Sequence, residues 1–212
     1  MAHYRLVGSF LSGLFLFALL SACGGPEQLT NEAAPPLIIS DTGIGPVEIG
    51  YPAAAAIEEL TGLLGGPDVD TRWIDGNSEL YGKCPAEKLR AVGWGSLYLF
   101  FTAGDDVTAD TADLVGHLFT YSYGFDFSRN EGGTDPRELS LTTAAGIGIG
   151  STRSELRLAY EDDLAESHDA TTDIWAWDVA ASAPSYLRGL LSGPGADATI
   201  VLIERVPGCG EV

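Results

Sequence analysis

The chain predicts an α+β fold: two tandem strand–helix–antiparallel β-meander units that join into one larger antiparallel sheet, with both helices on one face. Three observations predict it. A short segment recurs at an offset of one hundred residues. An apolar stripe of helical period follows each copy. Beyond each stripe the period switches to two.

The recurring segment is Val47-Glu48-Ile49-Gly50-Tyr51-Pro52 against Ile147-Gly148-Ile149-Gly150-Ser151-Thr152. Val47 matches Ile147, Ile49 matches Ile149, and Gly50 matches Gly150. Downstream, Ala56, Leu60 and Leu64 match Leu156, Tyr160 and Leu164, an i, i+4, i+8 stripe along one side of a helix.

Taken in chain order, the elements begin with an export signal. Arg5 precedes an apolar run from Leu6 to Leu20. That run is as long as a signal-peptide core and shorter than the ~20 residues a helix needs to cross a bilayer. Leu20-Ser21-Ala22-Cys23 follows: a branched apolar residue, two small ones and a cysteine, which resemble the lipobox of bacterial lipoproteins. Residues 1–22 are therefore expected to be removed, and Cys23 to carry a lipid that anchors the chain to a membrane. Residues 23–36 are small, polar and Pro-rich, with nothing to pack, and read as a tether.

Unit 1 covers residues 37–139. A short alternating strand leads to Gly50, where the chain turns, and Pro52 stands near a helix start, where proline is tolerated. The helix is expected near Ala53–Leu64, stopped by Gly65-Gly66-Pro67. Strands follow near Leu89–Val92, Ser96–Thr102 and Gly116–Tyr123. Unit 2 covers residues 140–212. Thr152-Arg153-Ser154-Glu155 forms a capping box, a hydroxyl for the third amide and a carboxylate reaching back. Its helix is expected near Arg153–Ala165, with strands near Ile174–Val179, Tyr186–Leu191 and Thr199–Val206. Turns fall at Ala103-Gly104-Asp105-Asp106 and Ser192-Gly193-Pro194-Gly195. One helix would leave either sheet half-bare, so the two halves join side by side.

Without its signal the chain keeps 190 residues, enough for one domain or two small halves, and its net charge moves from −19 to −20. Such a charge repels nucleic acid and anionic lipid head groups, so neither is an expected partner. Beyond Cys23 two cysteines remain, Cys84 and Cys209. An even remainder outside the cytoplasm predicts a disulfide between them; two separate thiols are the other reading. The chain-entropy account puts a crosslink over so long a loop at about 5 kcal/mol, an upper value.

Gly43-Ile44-Gly45-Pro46-Val47-Glu48-Ile49-Gly50 before one helix, and Ala144-Ala145-Gly146-Ile147-Gly148-Ile149-Gly150 before another, resemble a known arrangement. Together with the lipobox they are similar to the tandem repeats of the beta-lactamase-inhibitory-protein-like fold, shared with small outer-membrane assembly lipoproteins of the SmpA/OmlA type. Lipoproteins of actinobacteria that carry two such units resemble the chain more closely still. The resemblance covers residues 37–212. It implies a non-enzymatic envelope protein that binds protein through a concave sheet face. Tyr51-Pro52 departs from the Met-Thr or Asp-Ser common after this Gly, and no stretch matches an inhibitory loop.

Few residues offer chemistry. Gly146-Ile147-Gly148-Ile149-Gly150-Ser151-Thr152 precedes a helix, as phosphate loops do, but lacks the lysine such a loop needs and reads as a tight strand-to-helix turn. His117 and His168 stand apart from any hydrolytic or metalloprotease motif. Acidic groups at Asp68/Asp70, Asp105/Asp106/Asp110/Asp113 and Glu161/Asp162/Asp163 miss the spacing of a calcium loop and read as solvated surface, with a calcium-binding lipoprotein as the alternative. No cofactor and no metal are expected. The aromatic residues are the richer set: Tyr121 with Tyr123, and Trp175 with Trp177, share strand faces, and Trp73 and Trp94 add to them. On an open sheet face Tyr121, Tyr123, Trp175 and Trp177 would meet an envelope protein partner. Turned under the helices, they would form the core.

Overall fold

Each helix starts where a glycine lets the backbone turn. Gly50 and Gly150 have φ of +86° and +87°, a region that costs a residue with a Cβ about 1–2 kcal/mol. Beyond them run α1 (Ala53–Leu64) and α2 (Arg153–Tyr160). The computed structural model describes residues 37–78, 81–104, 115–126, 131–132, 139–182 and 185–207.

The first amide of each helix finds its acceptor on another segment. Ala53 N donates to the Gly116 carbonyl at 2.8 Å, and Arg153 N to that of Ala198 at 2.7 Å. These are among the amides a helix cannot satisfy itself. The Thr152 side chain accepts from Glu155 N, and the Glu155 carboxylate accepts from Thr152 N at 2.7 Å, closing the capping box. Pro52 offers α1 no side-chain cap. The far end of α1 is tied down by the Trp94 indole, which donates to the Gly65 carbonyl at 2.8 Å.

The strands form an antiparallel frame. β1 (Ile39–Ser40), β2 (Gly43–Ile44) and β3 (Val47–Glu48) make a small three-stranded sheet ahead of α1. After α1 come β4 (Val69–Asp70), β5 (Ile74–Ser78), β6 (Gly82–Trp94), β7 (Leu97–Ala103) and β8 (His117–Tyr123). A two-stranded ribbon, β9 (Phe125–Asp126) with β10 (Glu131–Gly132), follows. After α2 come β11 (Leu164–Asp169), β12 (Ile174–Ser182), β13 (Ser185–Leu191) and β14 (Ile200–Val206). The nine-stranded sheet runs β11-β12-β13-β14-β8-β7-β6-β4, with β5 also on β6. The last strands of the two meanders, β8 and β14, thus stand side by side at its centre.

The fold is therefore mixed α+β with a mainly antiparallel sheet, and the first helix spans the predicted residues. The second differs. It was expected to reach Ala165, but ends at Tyr160; Glu161–Asp163 form a 3-10 turn and Leu164 opens a strand. Three acids in succession at a helix C-terminus oppose its dipole, and Glu161 leaves the helical region with φ of +43°. β11 escapes a reading by polarity because its alternate residue Glu166 is charged, yet held inward by arginines. β4 and β5 are likewise additions to the expected strands. The strand expected near Leu89–Val92 reaches back to Gly82. Its pairing with β5 is irregular between Asp75 and Asn77, opposite the stretch holding Pro85, which has no amide to donate.

One hydrophobic cluster gathers most of the core. It unites Ile39, Ile44 and Val47 with Ala53, Ala56 and Leu60 of α1 and Leu156 of α2. The sheet adds Leu97, Leu99, Trp177, Val179 and Ile203, among others. A second, smaller cluster of Tyr81, Leu89, Ala91, Tyr98 and Phe100 lies on the other face of β6 and β7. Residues 35–212 make one compact unit.

Candidate partner-binding surface

Facing residues in an antiparallel sheet share a face, and successive residues alternate. One row reads Trp177, Gly189, Ile203, Tyr123 and Leu97 across β12, β13, β14, β8 and β7. Apart from the glycine, all of these belong to the main cluster with the helix residues. The next row reads Asp178, Arg188, Glu204, Ser122 and Tyr98, on the opposite face.

This alternation corrects the aromatic face. Tyr121, Tyr123 and Trp177 are 1%, 3% and 0% exposed, so an open row is not what they form. Burial of large rings in the main hydrophobic cluster outweighs any gain from showing them to water. Tyr121 Oη donates to the Ser40 carbonyl at 2.7 Å, and Tyr123 Oη to that of Leu139. Burial, the largest cause, and the nearby Asp41 push the Tyr121 hydroxyl far above its ordinary range. Trp177 lies over Gly189 so closely that a Cβ there would sit 2.3 Å from the indole.

Trp175 is half-buried and packed against two side chains. The His168 ring stacks on it at 4.1 Å and 15°, and the Arg153 guanidinium lies 4.9 Å from its centroid. Arg153 also donates to Glu166 at 2.6 Å and to the Pro194 carbonyl, while Arg157 reaches Glu166. The Arg153 hydrogen bond leads the causes that hold the Glu166 carboxyl below its usual range, against burial, with Arg157 adding to it. These contacts knit α2 to the β11–β12 hairpin.

The opposite face is closed over one half and half-open over the other. On β7 and β8, Tyr98, Phe100, Thr120 and Ser122 are 1–4% exposed, and Tyr81 packs edge-on to Phe100 at 5.8 Å. On β12–β14, Ala176, Asp178, Tyr186, Arg188, Leu190 and Leu202 are only half-buried, and Ile174 is 44% exposed. Arg188 organises this strip. Its Nε donates to Asp178 at 2.8 Å, its Nη2 donates to Tyr186 Oη at 3.0 Å, and its guanidinium lies 5.6 Å from the Tyr186 ring. The strip joins an aromatic ring and a held cation to apolar margins, the composition of interface anchors. The pairing of Tyr186 with Arg188 at i, i+2 was legible as alternation; that this face lies half-open was not.

The other predicted sites fall as follows. Cys23 and Cys209 lie outside the described residues, and Cys84 is described as backbone within β6 alone, so the lipid and the disulfide are not seen there. Asp68 accepts from Gly95 N at 2.8 Å, and Asp70 accepts from Arg90 at 2.9 and 2.8 Å. Burial pushes the Asp70 carboxyl up, but Arg90 and Arg72 outweigh it and hold it low. The group Asp105, Asp106, Asp110 and Asp113 lies outside the described residues, and Glu161–Asp163 are exposed on their 3-10 turn. Among the described residues, no three His, Cys, Asp or Glu side chains group as for a metal. In the Gly-rich turn, Gly148 N donates to Ser151 Oγ and Thr152 N to Glu155, so the chain's own oxygens take these donors. His117 is exposed at the start of β8. A cleft of about 550 Å³ beside α1 is lined by Tyr51, Glu58, Glu59 and Leu63, among others. No helix among the described residues is long and apolar enough to cross a membrane.

Comparison of the chain with family models, with curated proteins and with solved structures gives no match.

Proposed function

We propose that this chain is an extracytoplasmic, lipid-anchored and non-enzymatic protein-binding module. In this reading residues 1–22 are a signal peptide, Cys23 bears the lipid, and residues 23–36 are the tether. Residues 37–139 and 140–212 are then tandem units whose helices cover one sheet face. The other face, over β12–β14, meets an envelope protein.

The observation that carries the binding role is the half-open strip around Tyr186 and Arg188, since the same face over β7 and β8 is closed. Matched backbone contacts support the tandem units. Gly50 N donates to the Leu118 carbonyl and Gly150 N to that of Ile200; Leu118 N donates to Tyr51 and Ile200 N to Ser151. Pro52 bridges His117 as Thr152 bridges Thr199. The cleft beside α1 supports a second reading, a small-ligand lipoprotein. A scaffold role in envelope assembly is the form of the protein-binding reading that the SmpA/OmlA resemblance favours.

Two experiments test these statements. Labelled palmitate should enter the wild type and not Cys23→Ala; incorporation into the variant removes the lipoprotein reading. Residues 35–212 serve as bait for crosslinking in the native envelope, with Tyr186→Ala/Arg188→Ala as the control. A protein captured by the wild type and lost with the folded control is expected. Equal capture by both moves the contact off this strip.

A further inference from the structure

At the centre of the nine-stranded sheet the ladder is as short as that of the two-residue edge strand β4. β8 and β14 meet through two residue pairs, Tyr123 with Ile203 and Ser122 with Glu204. Their other neighbours, β7 and β13, pair along nearly the whole strand. The two strands are staggered: with Tyr123 opposite Ile203, the first residues of each lie beyond the end of the other. The first residues of β8 bond instead to the turn before α1: Gly50 N to Leu118 O at 2.8 Å, and Leu118 N to Tyr51 O at 2.8 Å. The first residues of β14 bond to the turn before α2, through Gly150 N to Ile200 O at 2.9 Å and Ile200 N to Ser151 O at 2.8 Å. Each helix lead-in thus pairs the part of β8 or β14 that the other strand does not reach.

Side chains hold what the ladder does not. Arg205 of β14 is buried, and its guanidinium spans two carbonyls from different parts of the chain. Nη1 donates to Phe119 on β8 at 2.9 Å, and Nε donates to Asp41, in the turn after β1, at 3.0 Å. Thr120 Oγ1 of β8 donates back to the Arg205 carbonyl at 2.7 Å. Beside them, the Ser122 hydroxyl is buried with no hydrogen-bond partner, so the seam also carries an uncompensated polar group. An arginine suits such a place: its planar fork reaches two acceptors at fixed spacing, which a lysine cannot.

We propose that the β8–β14 seam is a hinge built into the sheet and that Arg205 is its lock. With Arg205 on Phe119 and Asp41, the blocks β4–β8 and β11–β14 hold one mutual angle. With that bridge released, the two-pair ladder opens before either meander does, and the curvature of the sheet changes. The inference concerns the mechanics of the sheet and stands whether or not a partner binds it.

Hydrogen exchange read by mass spectrometry on the full chain tests it, in the wild type, Arg205→Met and Arg205→Lys. Arg205→Met should speed exchange over residues 118–124 and 200–206 by about tenfold or more, because local opening draws on the weakest set of bonds. Residues 88–103 and 174–191 should keep their wild-type rates, and Arg205→Lys should fall between. Uniform acceleration of all strands would make Arg205 an ordinary core residue and overturn the hinge; unchanged seam rates would overturn it too. If Arg205→Met does not fold, Thr120→Val carries the test, since it removes one seam donor at nearly constant volume. Its acceleration must be confined to the same two segments, and spread beyond them, or no acceleration, ends the proposal.

Discussion

Replacing Trp177 by alanine tests which side of the sheet forms the core. The ring is fully buried, and it lies on Gly189 with no room for a further methyl group. Truncating a buried aromatic side chain to alanine costs about 3–5 kcal/mol, combining lost transfer energy with the cavity left behind. One term opposes this. Trp177 Nε1 is buried with no hydrogen-bond partner, and removing an unsatisfied donor returns about 1–3 kcal/mol. Taking the middle of each range, about 4 less about 2, the net loss expected is about 2 kcal/mol. Urea unfolding of residues 35–212, followed by far-ultraviolet circular dichroism, measures it without relying on the indole's own fluorescence. With a slope of about 2 kcal/mol/M for a domain of this size, the midpoint should fall by about 1 M at constant slope. Trp177→Phe separates the two terms. It removes the orphaned N–H with a smaller cavity and should cost clearly less than the alanine variant. A Trp177→Ala variant as stable as Trp177→Phe, both lacking the N–H, would place the ring outside the core and refute the assignment of faces.

Three further outcomes follow from the contacts. Gly50→Ala and Gly150→Ala should each cost about 1–2 kcal/mol by backbone strain alone, because an added Cβ meets open space at both; a neutral result in denaturant unfolding at either position contradicts the positive φ. Thr152→Ala should cost about 1 kcal/mol by removing the capping hydroxyl, read by the same unfolding curve, and a neutral result would deny the capping box. Glu166 has a folded pKa below its unfolded value, so its contribution is complete above about pH 4.3 and is lost as pH falls through the lower, folded value. Glu166→Gln should therefore be less stable at pH 7 and show a shallower acid limb in thermal unfolding. An acid limb as steep as the wild type's would mean that the Arg153 and Arg157 contacts do not hold the carboxylate.

Much of the local structure was written in short-range pattern. The Ala56, Leu60 stripe and the Gly65-Gly66-Pro67 stop define α1, and the Thr152/Glu155 pair marks the start of α2. Alternation marks β7, β8, β13 and β14, because side-chain direction depends on the backbone alone. Where a residue's meaning depends on a distant partner, pattern failed. Glu166 and His168 look like loop residues until Arg153, Arg157 and Trp175 are placed beside them. β11 was missed for that reason, and β4, two residues long, carries too little periodicity to be seen.

The sequence by itself determined the α+β class, the glycine turns, the helix starts and the strand faces as pairs of alternating rows. All of these follow from φ preference, capping and period, which act within a few residues. Only the tertiary structure decided which row is inside. Tyr121, Tyr123 and Trp177 could have faced a partner, and Tyr186 and Arg188 could have been core. A strand's two faces are equivalent until a helix settles on one of them. The meeting of β8 with β14, and the arginine that spans it, were also decided there. Residues 41, 119 and 205 come together only when the whole sheet has closed.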